Sequence, residues 1–316
     1  MKLQTQIPLE KKSNNLIDYN SKILLLGSCF VENIGNKLNY YKFKNLQNPF
    51  GILFQPLAIE KLITNAINEK EFTEDDIFFY NEQWHCYDAH SKLSQVAKEN
   101  LLIDLNNQIG LTTQQLNNST HIIITLGTAW VYRHIETDAI VANCHKVPQK
   151  KFLKELLSVD EILESLGSII TLIRSVNKKA SIIFTVSPVR HLKDGFVENT
   201  QSKAHLISAI HQVVEPRHNV HYFPSYEIMM DELRDYRFYN EDMIHPNQTA
   251  INYIWEKFKT VWISKDAIET MCVVEEVQRG LLHKPFNPNS DAHLQFLQNL
   301  EKKKAQLSLQ IPNIVF

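Results

Sequence analysis

Two short stretches of this chain carry residue types suited to nucleophilic catalysis. The first is Gly27-Ser28-Cys29-Phe30, which follows the apolar run Ile23-Leu24-Leu25-Leu26 and precedes a stretch with helical spacing, Val31 to Leu38. A glycine permits a tight strand-to-helix turn. A side chain placed there sits at the carboxyl edge of a sheet, where doubly wound folds bind their ligands. Unpaired N–H groups at a helix start favour a thiolate, so a lowered pKa is expected for Cys29. The competing reading is a small buried hydrophobe, a common role for a free cysteine. The second stretch is Asp242-Met243-Ile244-His245-Pro246, just before the helical segment Gln248 to Val261. An Asp three residues before a His in a loop lets the carboxylate fix the imidazole tautomer, leaving the other ring nitrogen as a general base. Alone, the motif also reads as a surface histidine ahead of a helix capped by Asn247.

Positioning these residues requires elements that meet at one edge. Continuous apolar runs at 23–26, 121–126, 181–186 and 219–223 suit strands buried on both faces. Helical spacing at 31–38, 159–176, 197–214 and 248–261 alternates with them, which predicts a doubly wound α/β sheet. Between residues 41 and 118 the pattern predicts a helix near 56–68, a short strand or turn around Phe78 to Trp84, and a polar helix ending about 108. Residues 127–157 read as a long loop, and such loops often carry function. Beyond 262 the chain turns rich in Glu, Gln, Lys and Leu and ends in a helix near 290–307. The expected division is an α/β domain over 1–261 and a helical extension over 262–316 that packs on the domain or on a partner.

Composition narrows the function class. The 316 residues include 33 Lys plus Arg against 35 Asp plus Glu, a formal net charge of -2. That balance indicates neither a nucleic-acid footprint nor a membrane-surface patch, and no apolar run reaches the ~20 residues of a transmembrane helix. The four cysteines form no CxxC pair. Reduced thiols in a cytoplasm are therefore expected, rather than a disulfide scaffold or a zinc ribbon.

A nucleophile after the first strand and a late Asp-x-x-His together resemble the SGNH (GDSL-like) hydrolases. Within them the chain looks like the bacterial GSCFA-domain family, its signature string appearing here as GSCFV. The resemblance extends to NPFGILFQP (48–56), WHCYDAHS (84–91), ITLGTAWVY (124–132), VANCHKVP (141–148), FTVSPVRHLKDGF (184–196) and LRDYRFYNEDMIHP (233–246). It implies a flavodoxin-like three-layer α/β/α sandwich and hydrolysis of an ester, a carbohydrate ester among the candidates. It also implies a nucleophile in the third position of the turn, which is Cys29, with Ser28 as the alternative or as a hydroxyl that bonds the turn. His245 is then the base and Asp242 its orienting partner. Two other functions fit the same motifs, O-acyl transfer to a carbohydrate and a catalytically inert ligand-binding module.

The pattern departs from the superfamily at the oxyanion hole. Where those enzymes carry an Asn after a central strand, this chain has Gly127-Thr128-Ala129-Trp130. A single such donor contributes roughly 3 to 4 kcal/mol of transition-state stabilisation, so a replacement is expected from the Cys29 N–H, Thr128 or Asn143. His90, His145, Arg190 and Arg237 are further candidates for substrate contacts, the two arginines together with Lys146 and Lys193 for an anionic group. A zinc site built from His85, Cys86, Asp88, His90, Cys144, His145 and His191 fits no recognised ligand spacing. Neither a metal nor a cofactor is therefore expected.

Overall fold

The computed structural model describes residues 5–312 and 314–316. In chain order the elements are β1 (Lys22–Gly27), α1 (Cys29–Tyr40), β2 (Lys44–Gln47), α2 (Pro56–Ile67), β3 (Phe78–Tyr80), β4 (Gln83–His85), α3 (Lys98–Asn118), β5 (His121–Leu126), β6 (Trp130–His134), β7 (Ala139–Val141), β8 (Phe152–Leu156), α4 (Val159–Val176), β9 (Ser181–Val186), α5 (Phe196–Val213), β10 (Val220–Tyr222), α6 (Ser225–Glu227), α7 (Gln248–Trp262), α8 (Lys265–Leu281) and α9 (Asp291–Gln310).

Five strands form a sheet of order β10-β9-β5-β1-β2, with every neighbouring pair parallel. Counted along the chain these strands read 2-1-3-4-5, the flavodoxin-like order, and the topological switch point lies between β1 and β5. Strand side chains alternate between the faces. Leu24, Leu26, Ile122, Ile124, Ile182 and Phe184 face the layer of α2, α3, α4 and α5. Ile23, Leu25, Ile123 and Ile183 face α1, α7 and α8. Both faces are thus covered, which is why the central strands read as unbroken apolar runs. The result is a three-layer α/β/α sandwich.

Three segments differ from expectation. Residues 127–157 are not one loop, because β6, β7 and β8 form a small antiparallel sheet of order β7-β6-β8. Their alternation is masked by half-exposed strands such as Phe152–Leu156, in which only Phe152 is buried. Helix α3 runs ten residues past 108, to Asn118. Its polar-looking end keeps a buried stripe of Leu105, Ile109, Thr112 and Leu116 at helical spacing. Strand β2 escaped notice because its sequence, KNLQ, contains a single apolar residue. At the C-terminal end, α8 buries Met271, Val274 and Val277 in the same cluster as α7. Helix α9 buries only Leu300 and Leu307, and both join that same cluster.

Candidate active site

The turn after β1 is built around Gly27. Its φ is +134°, and a Cβ there would come within 2.1 Å of the Thr125 carbonyl oxygen, so no other residue fits without displacing β5. The Ser28 N–H donates to that same oxygen (3.0 Å). Ser28 is the N-cap of α1 and is 1% exposed; its Oγ accepts the Phe30 N–H at 3.3 Å. Cys29, the first helical residue, is partly exposed and carries a free thiol. Burial, and then the Glu32 carboxylate, push this thiol above its ordinary value; the Lys203 ammonium and the N–H groups of Cys29 and Phe30 pull it down without reversing the shift. The lowered pKa expected at a helix start is therefore corrected by the structure, because desolvation outweighs the helix terminus.

The Asp242–His245 loop folds as a tight turn closed by a bridge between Tyr239 and Pro246. Asp242 Oδ1 accepts the N–H groups of Ile244 (2.9 Å) and His245 (3.0 Å), while Oδ2 lies 2.7 Å from His245 Nδ1. These bonds, those to His245 first, hold the carboxyl at about 2, well below its ordinary value. The carboxylate thus fixes the Nδ1–H tautomer, and Nε2 remains as an acceptor. About half of each side chain is solvent-exposed. The loop is tied to the carboxyl end of β9, since the Arg190 N–H donates to Ile244 O (3.2 Å) and Arg190 Nη1 to Met243 O (3.3 Å). The Arg190 guanidinium lies 4.0 Å from the centre of the Tyr239 ring. Arg190 therefore braces the loop. Arg237 is ion-paired with Asp235 at 3.1 Å, on the exposed side.

Two residues near this edge, Asn48 and Lys203, are not among the sequence candidates, and a third, His191, is named there only as a possible zinc ligand. Asn48, in a left-handed turn at φ 42°, is buried to 8% exposure. Its Oδ1 accepts the Gly27 N–H (2.9 Å), which fixes the amide orientation, and its buried Nδ2 has no partner. Lys203 of α5 is 1% exposed, and its Nζ donates to Gly127 O (2.6 Å) and Ser187 O (2.7 Å). Burial brings its pKa down to about 7. His191 packs on the Phe54 ring with centroids 5.5 Å apart, and its buried Nε2 is unpartnered. Burial, and then the positive charges of Lys203 and His245, bring its pKa down to about 3. Lys203 had one legible signal: it is in phase with Leu206 and Ile210 on the buried stripe of α5.

The remaining candidates lie elsewhere or are already engaged. The Thr128 hydroxyl bonds Ser202 Oγ (3.0 Å) and accepts the Trp130 N–H (3.1 Å), while its own N–H donates to Phe54 O. Asn143 Oδ1 accepts the His145 N–H (2.8 Å) and the Ser91 hydroxyl (3.2 Å). His145 is 4% exposed, with Nε2 2.7 Å from Cys86 O and Nδ1 3.2 Å from Ser91 Oγ; its pKa falls to about 4, mainly through burial. His90 Nδ1 accepts the Lys92 N–H (3.2 Å), and the His90 N–H donates to Phe50 O. Asp88 pairs with Lys61 (2.6 Å), and both His85 nitrogens are bonded, to Ser94 Oγ and Tyr80 O. Among the described residues no group of three His, Cys, Asp or Glu side chains is placed to hold a metal ion. Asn143 and His145 line a cavity of about 430 Å³ together with Phe54, Trp130, Tyr132 and Lys193. Neither Cys29 nor His245 lines it; Phe54, whose ring packs on His191, does.

Residues 22–258 match the GSCFA family, and residues 274–316 match the GSCFA domain protein C-terminal domain. The chain belongs to the GSCFA family. The first match of this GSCFA protein spans the whole sheet, the Cys29 turn and the Asp242–His245 loop. Among curated proteins none matches the chain. Among solved structures, a carbohydrate esterase family 3 from Talaromyces cellulolyticus is similar at a TM-score of 0.37 and 9% identity, over 81% of this chain and 99% of that one. No helix among the described residues is long and apolar enough to cross a membrane.

Proposed function

We propose that this GSCFA protein hydrolyses an ester through an acyl-enzyme on Cys29. The observation that carries the reading is the Asp242–His245 pair: one ring nitrogen is held at 2.7 Å by the carboxylate and the other is left free, on a loop braced to the edge of the sheet where β1 delivers Cys29. A protonated resting thiol suits general-base activation. His245 Nε2 takes the thiol proton as Sγ attacks the acyl carbon, and then returns it to the departing alkoxide as the C–O bond breaks. Water attacks the thioester next, giving its proton to His245 and releasing the acid and the free thiol. Ser28, buried and capping α1, serves the turn.

Two donors suit the oxyanion. The Cys29 N–H is among the groups a helix start leaves unpaired, and Asn48 Nδ2 is a buried donor without a partner beside the same turn. Asn48 thus replaces the asparagine that Ala129 displaces. The cavity behind Phe54, with aromatic walls and Lys193 among its lining residues, suits the non-reacting part of the substrate, for which a carbohydrate ester is the leading class.

The test uses p-nitrophenyl acetate as the probe, with acyl adducts mapped by peptide mass spectrometry. An adduct on Cys29 that disappears in His245→Ala is expected. Turnover unchanged in that variant, or an adduct on Ser28, would overturn the assignment.

A further inference from the structure

Lys203 presents an electrostatic problem that the ester chemistry leaves unsolved. Its side chain is buried beneath the sheet edge, and its ammonium is anchored by the carbonyls that follow directly on β5 and β9, Gly127 O and Ser187 O. An ammonium carries three donors and a full charge. Carbonyl dipoles supply acceptors but no counter-charge, and a buried cation without an anion is unfavourable. Among the described residues no carboxylate lies within 4.0 Å of Lys203 Nζ, as its absence from the ion pairs shows. The other groups facing it are the Tyr226 ring of α6, 5.7 Å from Nζ, and the His191 imidazole from the segment between β9 and α5. Neither is an anion.

The register of the sheet brings one anionic candidate to this place. Gly27 pairs with Thr125, and the Ser28 N–H continues the ladder onto Thr125 O. The start of α1 therefore lies alongside the strand end at Gly127, to whose carbonyl Lys203 is bonded. The charges of Cys29 and Lys203 act on each other across that gap. We propose that Lys203 is a positioning residue, the buried counter-cation that holds negative charge on Cys29 Sγ while its two carbonyl anchors fix it beneath the nucleophile. The inference rests on the reading of Cys29 as nucleophile. Lys203 takes no proton from the thiol, whose proton still goes to His245 Nε2. The negative charge on Sγ is what the ammonium balances, and forming the neutral thioester removes that balance. Glu32, on the same helix as Cys29, opposes the effect.

The decisive measurement is the pH midpoint of Cys29 alkylation by iodoacetamide, mapped by mass spectrometry in the full chain. Lys203→Met is expected to raise the midpoint by about one unit or more, a tenfold loss of thiolate, while Glu32→Gln lowers it. An unmoved midpoint in folded Lys203→Met overturns the proposal. Lys203→Met also removes the donor from two carbonyls, so a second arm leaves Lys203 in place. The Lys203 titration is followed by NMR of 13Cε-labelled lysine in wild type and in Cys29→Ser. Coupling between sites is reciprocal, so the Lys203 midpoint must fall in Cys29→Ser; no movement overturns the proposal as well. The esterase reading fails separately. A Cys29 adduct with unmoved midpoints removes the Lys203 role alone. Moved midpoints without any adduct keep the charge pair and remove the hydrolase.

Discussion

His145 and His245 sit in different loops near the same end of the sheet, and the fold uses them in opposite ways. At His145 both ring nitrogens have partners, the ring packs on His85 with centroids 4.7 Å apart, and 4% of the residue is exposed. At His245 one nitrogen is held by a carboxylate, the other is free, and about half of the side chain meets solvent. The first arrangement keeps an imidazole neutral and uses it as a polar brick that satisfies the carbonyl of Cys86. The second arms an imidazole for proton transfer. The residue type is the same; the difference lies in how many of its polar atoms the fold has already engaged. Asn143 and Asn48 repeat the contrast, since the first is consumed by its own loop and the second retains a buried donor.

The most severe way to break this comparison is to truncate both imidazoles. His245→Ala is expected to lower ester turnover by on the order of 10²- to 10⁴-fold and to leave the urea midpoint close to wild type, because the side chain is half-exposed and packs on little. His145→Ala is expected to do the reverse. Removing a buried ring whose two nitrogens bond Cys86 O and Ser91 Oγ costs about 2 to 4 kcal/mol of stability, with kcat per folded molecule nearly unchanged and any loss of activity confined to KM, since His145 lines the cavity. A His145 variant that folds normally but loses turnover would end the distinction.

The asparagine contrast is tested next in size. Asn48→Asp keeps an acceptor for the Gly27 N–H but removes the donor, so it separates the two roles. A fall in kcat on the order of 10²-fold with KM little changed is expected. A loss of stability with kcat retained would make Asn48 a turn-holder only.

How far these roles were legible follows from the range over which each is encoded. The central strands, most of the helices and the Cys29 and Asp-x-x-His motifs are local patterns, carried by apolar period and by spacing of a few residues, and the structure bears out the α/β sheet that the strands and helices predict. The small sheet of β6, β7 and β8 was not legible, because half-exposed strands blur the alternation. The partners of Asn48 and Lys203 were not legible for a different reason, although the phase of Lys203 with Leu206 and Ile210 marks it as buried. The meaning of these two residues lies in what faces them, Gly27 and the strand ends at Gly127 and Ser187, and those pairings join residues 16 to 76 positions apart in the chain. The raised thiol of Cys29 belongs with them, since burial is a property of the whole fold and not of a helix start.

Acid titration sharpens the comparison at smaller amplitude. The pKa of His145 is about 4 and that of His191 about 3 in the fold, both mainly through burial, against about 6.5 in an unfolded chain. The unfolded state therefore binds more protons below that value. The stability these neutral rings confer is complete above about pH 6.5 and is lost as pH falls towards 4, by at most about 1.4 kcal/mol per pH unit for each histidine. Urea unfolding between pH 7 and 4.5 should show this slope, and His145→Gln should flatten it. An unchanged slope in that variant would mean that His145 is not held neutral.

The smallest expected effect concerns His90, which stands between the two classes. Its Nδ1 is engaged by the Lys92 N–H, its main chain is tied to Phe50, and its Cβ packs against Gly51. It is nonetheless half-buried rather than sealed, and burial lowers its pKa. His90→Asn retains a side-chain oxygen for the cap, so the change in stability should stay within a few tenths of a kcal/mol to about 1 kcal/mol. If His90 is a loop-holder of the His145 kind, kcat/KM for p-nitrophenyl acetate should change less than about threefold, a difference of roughly 0.7 kcal/mol in transition-state binding. A hundredfold loss with an unchanged urea midpoint would place its second nitrogen on the substrate. The division between engaged and armed imidazoles would then have to be drawn on the far side of His90.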